Sequence, residues 1–196
     1  RKIQKIQKIQ KLRKIQKIRK RKKKETSPQK TIIIKACLVG PSFSGKTHTA
    51  WAVAKNEVPP YDAIYYPFDN LFSDKIEYQG RRFGIYLTDI KGDEWLNIHR
   101  ELAYPENDIF VLCISALESN SLESLIYYIN EVKERVKDPT FMLIVNKTDL
   151  LNDPDTIKQL DNCELPTKEQ INEFALKYEI KRVIYNSNKF LDRIED

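Results

Sequence analysis

The chain has 196 residues, 32% charged and 41% hydrophobic, enough to bury one sizeable core, so a single domain is expected. Of its 34 Lys and Arg, 14 fall in residues 1–24, which contain no acid; the other 20 face 28 Asp and Glu, so the net +6 joins a +14 tail to a body of −8. Cys37, Cys113 and Cys163 are too few and too scattered for a disulfide framework or a metal site, no run of about 18 apolar residues is present, and the basic start lacks the apolar segment of a secretion signal.

In the tail, apolar residues recur at every third position from Ile3 to Ile18. Each step of three falls about 60° short of a full turn, so the six residues circle a helix instead of marking one face. The reading is a solvated, low-complexity extension. Its charge suits attachment to anionic lipid; a nuclear-targeting signal around "KIRKRKKK" fits the same charges, and nucleic acid is not expected as a partner. "ETSPQ" (25–29) has linker composition, which makes 1–30 an extension with linker and 31–196 the folded part.

Beyond Thr31, apolar runs alternate with helical patterns, the mark of an α/β fold with a mainly parallel sheet. "TIIIKACLVG" (31–40) reads as a buried first strand and "THTAWAVAKN" (47–56) as a helix. "SDKIEYQGRRFGIYLTDI" (73–90) predicts an antiparallel hairpin turning at Gln79-Gly80. A short helix near 93–102 and a strand over 108–115 follow. A long helix is predicted over 120–137, with Asn120 as N-cap, Glu123 three residues on, and Leu122, Leu125, Ile126, Ile129 and Val132 on one face. A strand over 140–146, a helix over 167–178 and a last strand over 182–187 complete the pattern, with only a short closing helix possible from Phe190.

"GPSFSGKT", Gly40 to Thr47, fits G-x-x-x-x-G-K-[ST] between a predicted strand and a predicted helix, the context in which that pattern cradles phosphate. At average residue frequencies it arises by chance in fewer than about one chain in a hundred of this length, so the match decides the reading. Backbone amides from Ser42, Phe43, Ser44 and Gly45 through the first helical turn at His48 can surround phosphate oxygens. Lys46 can bridge the terminal phosphates, and the Thr47 hydroxyl can ligate Mg²⁺. Some hundred residues on, after another strand, Asn146-Lys147-Thr148-Asp149 forms N-K-x-D. One carboxylate, Asp149, can accept from both N1–H and the 2-amino group of guanine, a donor pair adenine lacks, and the Lys147 stem can lie along the base.

With these residues the chain resembles the small GTPases of the Ras superfamily. The resemblance implies a P-loop NTPase fold of three layers, α/β/α, around a six-stranded mainly parallel sheet with one antiparallel hairpin strand, and binding of GTP or GDP with Mg²⁺. "LTDIKGDEW" resembles the family's D-x-x-G segment, which would place Asp89 at Mg²⁺ through water and the Gly92 amide at the γ-phosphate. "YNSNK" resembles the family's S-A-K loop, with Ser187, Asn188 and Lys189 at the guanine oxygen or bracing Asp149. The likeness leans to the Rho branch. "YPFDNLF" echoes its effector loop, "RELAYPEND" is similar to its R-x-L-x-Y-x-x-x-D pattern, and "LLNDPDTIKQLDNCELPTKE" resembles a shortened form of its inserted helix. The family's partners would be effectors and regulators meeting the loops at 58–73 and 89–100. The expected location is cytoplasmic, peripheral at the inner face of the plasma membrane; the tail lies outside the resemblance, and its +14 charge alone suggests a substitute, of weaker grip, for the lipidated C-terminal cysteine general in the Rho branch.

The departures from the family pattern concern catalysis. Ser42 stands where a glycine is usual. Asp93 occupies the place of the glutamine that orients the attacking water, and an anion is ill suited to donate a hydrogen bond to a phosphoryl group. No threonine occurs between Thr49 and Thr88, so the hydroxyl that closes over Mg²⁺ is missing, with Tyr65 or Tyr66 near its place; Val58 replaces a phenylalanine at the edge of the base, a loss Tyr61 could offset. Lys46 and Asp93 are thus the candidate catalytic residues of a slow enzyme. A hydrolysis-competent variant using Asp93, Glu94 or a partner's group, and a scaffold indifferent to nucleotide, remain alternatives. His48 and His99 read as surface or packing residues.

Overall fold

The computed structural model describes residues 31–59, 68–93, 96–160 and 163–187. The tail, Tyr61, Tyr65, Tyr66, Glu94, Trp95, Asn188, Lys189 and the expected closing helix lie outside these residues. Six strands form one sheet: β1 (Ile32–Val39), β2 (Phe68–Tyr78), β3 (Arg81–Ile90), β4 (Ile109–Ser115), β5 (Phe141–Asn146) and β6 (Val183–Tyr185). Their order is β2-β3-β1-β4-β5-β6, parallel except where β2 runs against β3. Among the described residues five α-helices connect these strands: α1 (Lys46–Lys55), α2 (Asn97–Ala103), α3 (Ser121–Arg135), α4 (Pro154–Gln159) and α5 (Lys168–Lys177).

Alternation along the strands divides the core between two layers. Ala36 and Leu38 of β1 pack with Ala50 and Ala54 of α1, whereas Cys37 and Val39 face the larger cluster that takes in Leu125, Ile129 and Val132 of α3 and Ile171 and Ala175 of α5. The sheet is therefore covered on both faces, giving the three layers expected. All three cysteines are free thiols, Cys37 and Cys113 buried and Cys163 exposed.

Several boundaries differ from the expectation for identifiable reasons. Only the second half of β1 is buried: Ile32 and Ile33 are exposed because pairing with β4 begins at Ala36. The hairpin turns at Gln79-Gly80 as predicted, both residues having φ > 0 (49° and 71°) as a two-residue turn demands. Yet β2 begins at Phe68, opposite Ile90, five residues before the expected start. Asn120 is the N-cap of α3 by position and its carbonyl accepts from the N–H and hydroxyl of Ser124, but at φ −90° and ψ 16° its side chain makes no capping bond, and the box predicted with Glu123 is absent. A capping box does form at α5, where Thr167 and Gln170 exchange bonds. β6 ends at Tyr185, since the Asn186 carbonyl accepts from Thr148 instead of continuing the ladder.

Candidate nucleotide-binding site

All the parallel strands deliver their C-terminal ends to one edge, the place where open α/β sheets bind ligands. There β1 runs into the loop 40–45, which turns directly into α1. Gly45 is the N-cap at φ 90°, a left-handed conformation that suits glycine, and a Cβ there would lie 2.9 Å from the Asn146 amide nitrogen. No side chain caps α1 and no acid lies in its first turn, so the first amides, which have no partner within the helix, face outward with the positive end of the dipole. A cavity of about 480 Å³ opens here, lined among the described residues by Ser42, Phe43, Gly45, Lys46, Thr47, His48, Lys91, Gly92, Asp93 and Lys147. The structure thus gathers ten of the sequence-predicted residues or their neighbours around one space.

Lys46 is buried, its ammonium donating to the carbonyls of Gly40 (2.9 Å) and Pro41 (2.7 Å) and to the Ser44 hydroxyl (3.4 Å). Burial pulls its pKa below the ordinary lysine value, against the charges of Asp89 and Asp93. Asp89 is the penultimate residue of β3, paired beside Leu38 of β1. Burial raises its carboxyl above the usual range, partly offset by the Thr47 hydrogen bond and the Lys46 charge, and its buried Oδ1 has no hydrogen-bond partner among the described residues. A bare, buried carboxylate oxygen beside a threonine hydroxyl is a hard oxygen donor set that fits Mg²⁺.

The base-recognition segment is locked to the phosphate loop. Asn146, fully buried, donates to the Ser44 carbonyl at 2.8 Å and accepts from Thr49 (3.2 Å) and Asn186 (3.1 Å). Lys147 adopts φ 62° and reaches the cavity, and Asp149 lies partly buried in the 3₁₀ turn Thr148–Asn152. The Thr148 hydroxyl donates to the Asn186 carbonyl, and the buried Ser187 hydroxyl has no hydrogen-bond partner among the described residues. Phe43 projects outward, 88% exposed, and Val58 is also exposed.

Residues 91–93 are held by a buried network that the sequence reading did not assign. Arg100 pairs with Glu131 through Nε at 2.8 Å and Nη2 at 3.0 Å, and its Nη1 donates to the carbonyls of Asp93 (2.8 Å) and Lys91 (3.3 Å). The Tyr128 hydroxyl donates to the Gly92 carbonyl (2.7 Å) and Tyr104 to Glu131 (2.6 Å). Burial opposes ionisation of Glu131, but hydrogen bonds from Arg100 and Tyr104 and the Arg100 charge win, holding its pKa below the ordinary value. Burial pushes the Tyr128 phenol up to about 12. The network seats Gly92 so tightly that a Cβ there would come within 2.2 Å of the Gly40 carbonyl oxygen and 2.7 Å of the Ser42 nitrogen. Beside it, the Ser42 hydroxyl donates to Asp93 Oδ1 at 2.8 Å, so two of the departures read from the sequence bond to each other. The signal for Glu131 was its place on the buried face of α3 next to Val132, where an acid without a cationic partner would be costly.

This edge, with its phosphate loop, uncapped helix and N-K-x-D segment, defines a P-loop nucleotide-binding domain. A family model described as "Ras family" matches residues 35–183, most of the chain, and the protein belongs to that family. Among curated proteins it is similar to the GTP-binding protein RHO1 of Eremothecium gossypii (35% identical), Rho1 of Kluyveromyces lactis (33%) and RHO1 of Saccharomyces cerevisiae (34%). Each match runs over 129 residues, 64% of this chain and 60% of the relative's length.

Proposed function

We propose that the protein is a Rho-type guanine-nucleotide-binding switch whose own hydrolysis of GTP is slow or absent. Membership of the Ras family and likeness to Rho1 GTP-binding proteins support the switch. In this reading Lys46 and the amides from Ser42 to His48 hold the phosphates, Thr47 and Asp89 hold Mg²⁺, and Asn146, Lys147, Asp149 and Ser187, with Asn188 and Lys189, hold the base. Mg²⁺, when bound, neutralises charge on the phosphate oxygens. Effectors and regulators meet the loops at 58–73 and 89–100; Ile98 in the second loop and Leu102 just beyond it are exposed apolar side chains. The +14 segment 1–24 supports peripheral attachment to an anionic membrane as the location of a cytoplasmic protein.

The observation that carries the slow-hydrolysis reading is the Ser42–Asp93 bond. Asp93 stands where a water-orienting side chain is expected, it carries no donor when ionised, and one of its oxygens is already engaged. Single-turnover hydrolysis with Mg²⁺, run beside the yeast RHO1 protein, tests it. Phosphate release slower by about tenfold or more, a barrier difference of about 1.4 kcal/mol, is expected. Equal rates would leave the switch standing and remove the slow-hydrolysis reading.

A further inference from the structure

Asp93 is the one carboxylate among the described residues lining the cavity, against the three lysines Lys46, Lys91 and Lys147. Its position along the cavity follows from its hydrogen bonds. Asp93 accepts from the Ser42 hydroxyl at 2.8 Å, in the same loop whose Gly40 and Pro41 carbonyls hold the Lys46 ammonium. The carboxylate therefore stands at the phosphate end, beside the ammonium that would meet the last phosphoryl group of a bound nucleotide.

It is also fixed there. Its backbone carbonyl accepts from Arg100, the preceding carbonyl from Tyr128, and Gly92 lies in contact with the backbone of Gly40 to Ser42. The Ser42 hydroxyl completes the restraint at the side-chain oxygen. A free aspartate would swing into solvent as an anionic ligand approached; this one is tied to the wall of the phosphate loop.

Resting on the nucleotide-binding reading above, we propose that the Ser42–Asp93 pair is a specificity determinant that disfavours a third phosphoryl group and so biases the site toward the nucleoside diphosphate. A terminal phosphoryl group brings a further negative charge to the end of the cavity where the carboxylate is held, and like charges brought together in a partly desolvated site repel strongly. The diphosphate ends short of that point and keeps Lys46 to itself. Removing the charge while keeping an acceptor for Ser42 isolates this effect, which Asp93→Asn does. Ser42→Ala instead keeps the charge and releases the tether.

Equilibrium competition titrations against a fluorescent guanine nucleotide, in saturating Mg²⁺ at constant ionic strength, give Kd for GDP and for a non-hydrolysable GTP analogue. For the full chain the analogue is expected to bind at least about tenfold more weakly than GDP. In Asp93→Asn that ratio should fall by on the order of tenfold, with Ser42→Ala between the two. A wild-type ratio near one, or a ratio in Asp93→Asn within about twofold of wild type while GDP still binds, overturns the proposal and leaves the nucleotide-binding reading intact. Binding of neither nucleotide by the wild-type chain overturns that reading and the inference with it.

Discussion

The two loops that frame the cavity are fixed by different chemistry. Residues 91–93 hang by their carbonyls from Arg100 and Tyr128, and Arg100 is anchored in turn on Glu131 of α3. Residues 146–149 are held by neutral groups: the amides of Asn146 and Asn186 and the hydroxyls of Thr49 and Thr148. A neutral amide leaves behind only an unsatisfied dipole when its partner goes. A buried ion pair leaves a bare charge. The loop expected to respond to the phosphates is thus tied to an all-or-none anchor, and the loop expected to read the base to a graded one.

The comparison is tested hardest at Glu131. Glu131→Ala strands the Arg100 guanidinium, itself 1% exposed, and should cost about 3–5 kcal/mol in urea unfolding. A loss below about 1 kcal/mol would mean that water reaches Arg100 and that the anchor is no stronger than a surface pair. The same residue predicts an acid response. Its pKa in the folded protein lies below the ordinary carboxylate value, so its contribution is fully present above the unfolded pKa and disappears as pH falls through the folded one. Unfolding measured down the acid range should therefore show a decline in wild type that is shallower in Glu131→Gln.

What the sequence made legible follows the same division. The phosphate loop and the N-K-x-D segment were readable because their chemistry lies in contiguous residues with a fixed spacing, and the strands were readable because a sheet covered on both faces demands long apolar runs. The network was not, because Arg100, Tyr104, Tyr128 and Glu131 are joined only by the packing of α2 and the 3₁₀ turn that follows it (Tyr104–Glu106) against α3. Arg100 and Tyr104 stood out as part of a family-like pattern, yet nothing along the chain said that Glu131 was their partner. Likewise Ser42 and Asp93 could each be read as a departure, but only folding brings residues 51 positions apart within 2.8 Å. The missing cap at Asn120 has the opposite cause: the local pattern was present, but the residue sits at φ −90° and ψ 16°, outside the extended region from which an N-cap side chain reaches back to the first amides.

On the neutral side, Asn146→Ala removes a side chain that bonds the Ser44 carbonyl, Thr49 and Asn186 at once. Leaving these buried groups unsatisfied should cost about 1–3 kcal/mol of stability, less than the loss at Glu131. Because Ser44 belongs to the phosphate loop, the same substitution should also raise Kd for GDP. A stability loss with GDP affinity unchanged would show that the amide braces the sheet edge without shaping the cavity.

The smallest effect is expected one bond further out, at Asn186. Its amide donates to Asn146 Oδ1, but that oxygen also accepts from Thr49, so Asn186→Ala leaves Asn146 with a partner. The loss should be about 1 kcal/mol, the net worth of one neutral hydrogen bond. Since the two asparagines touch, their effects should not add, and the double variant should cost less than the two single losses together. Should Asn186→Ala alone destabilise as much as Glu131→Ala, the base-side loop would also be all-or-none, and the distinction between a charged anchor and a neutral one would lose its physical basis.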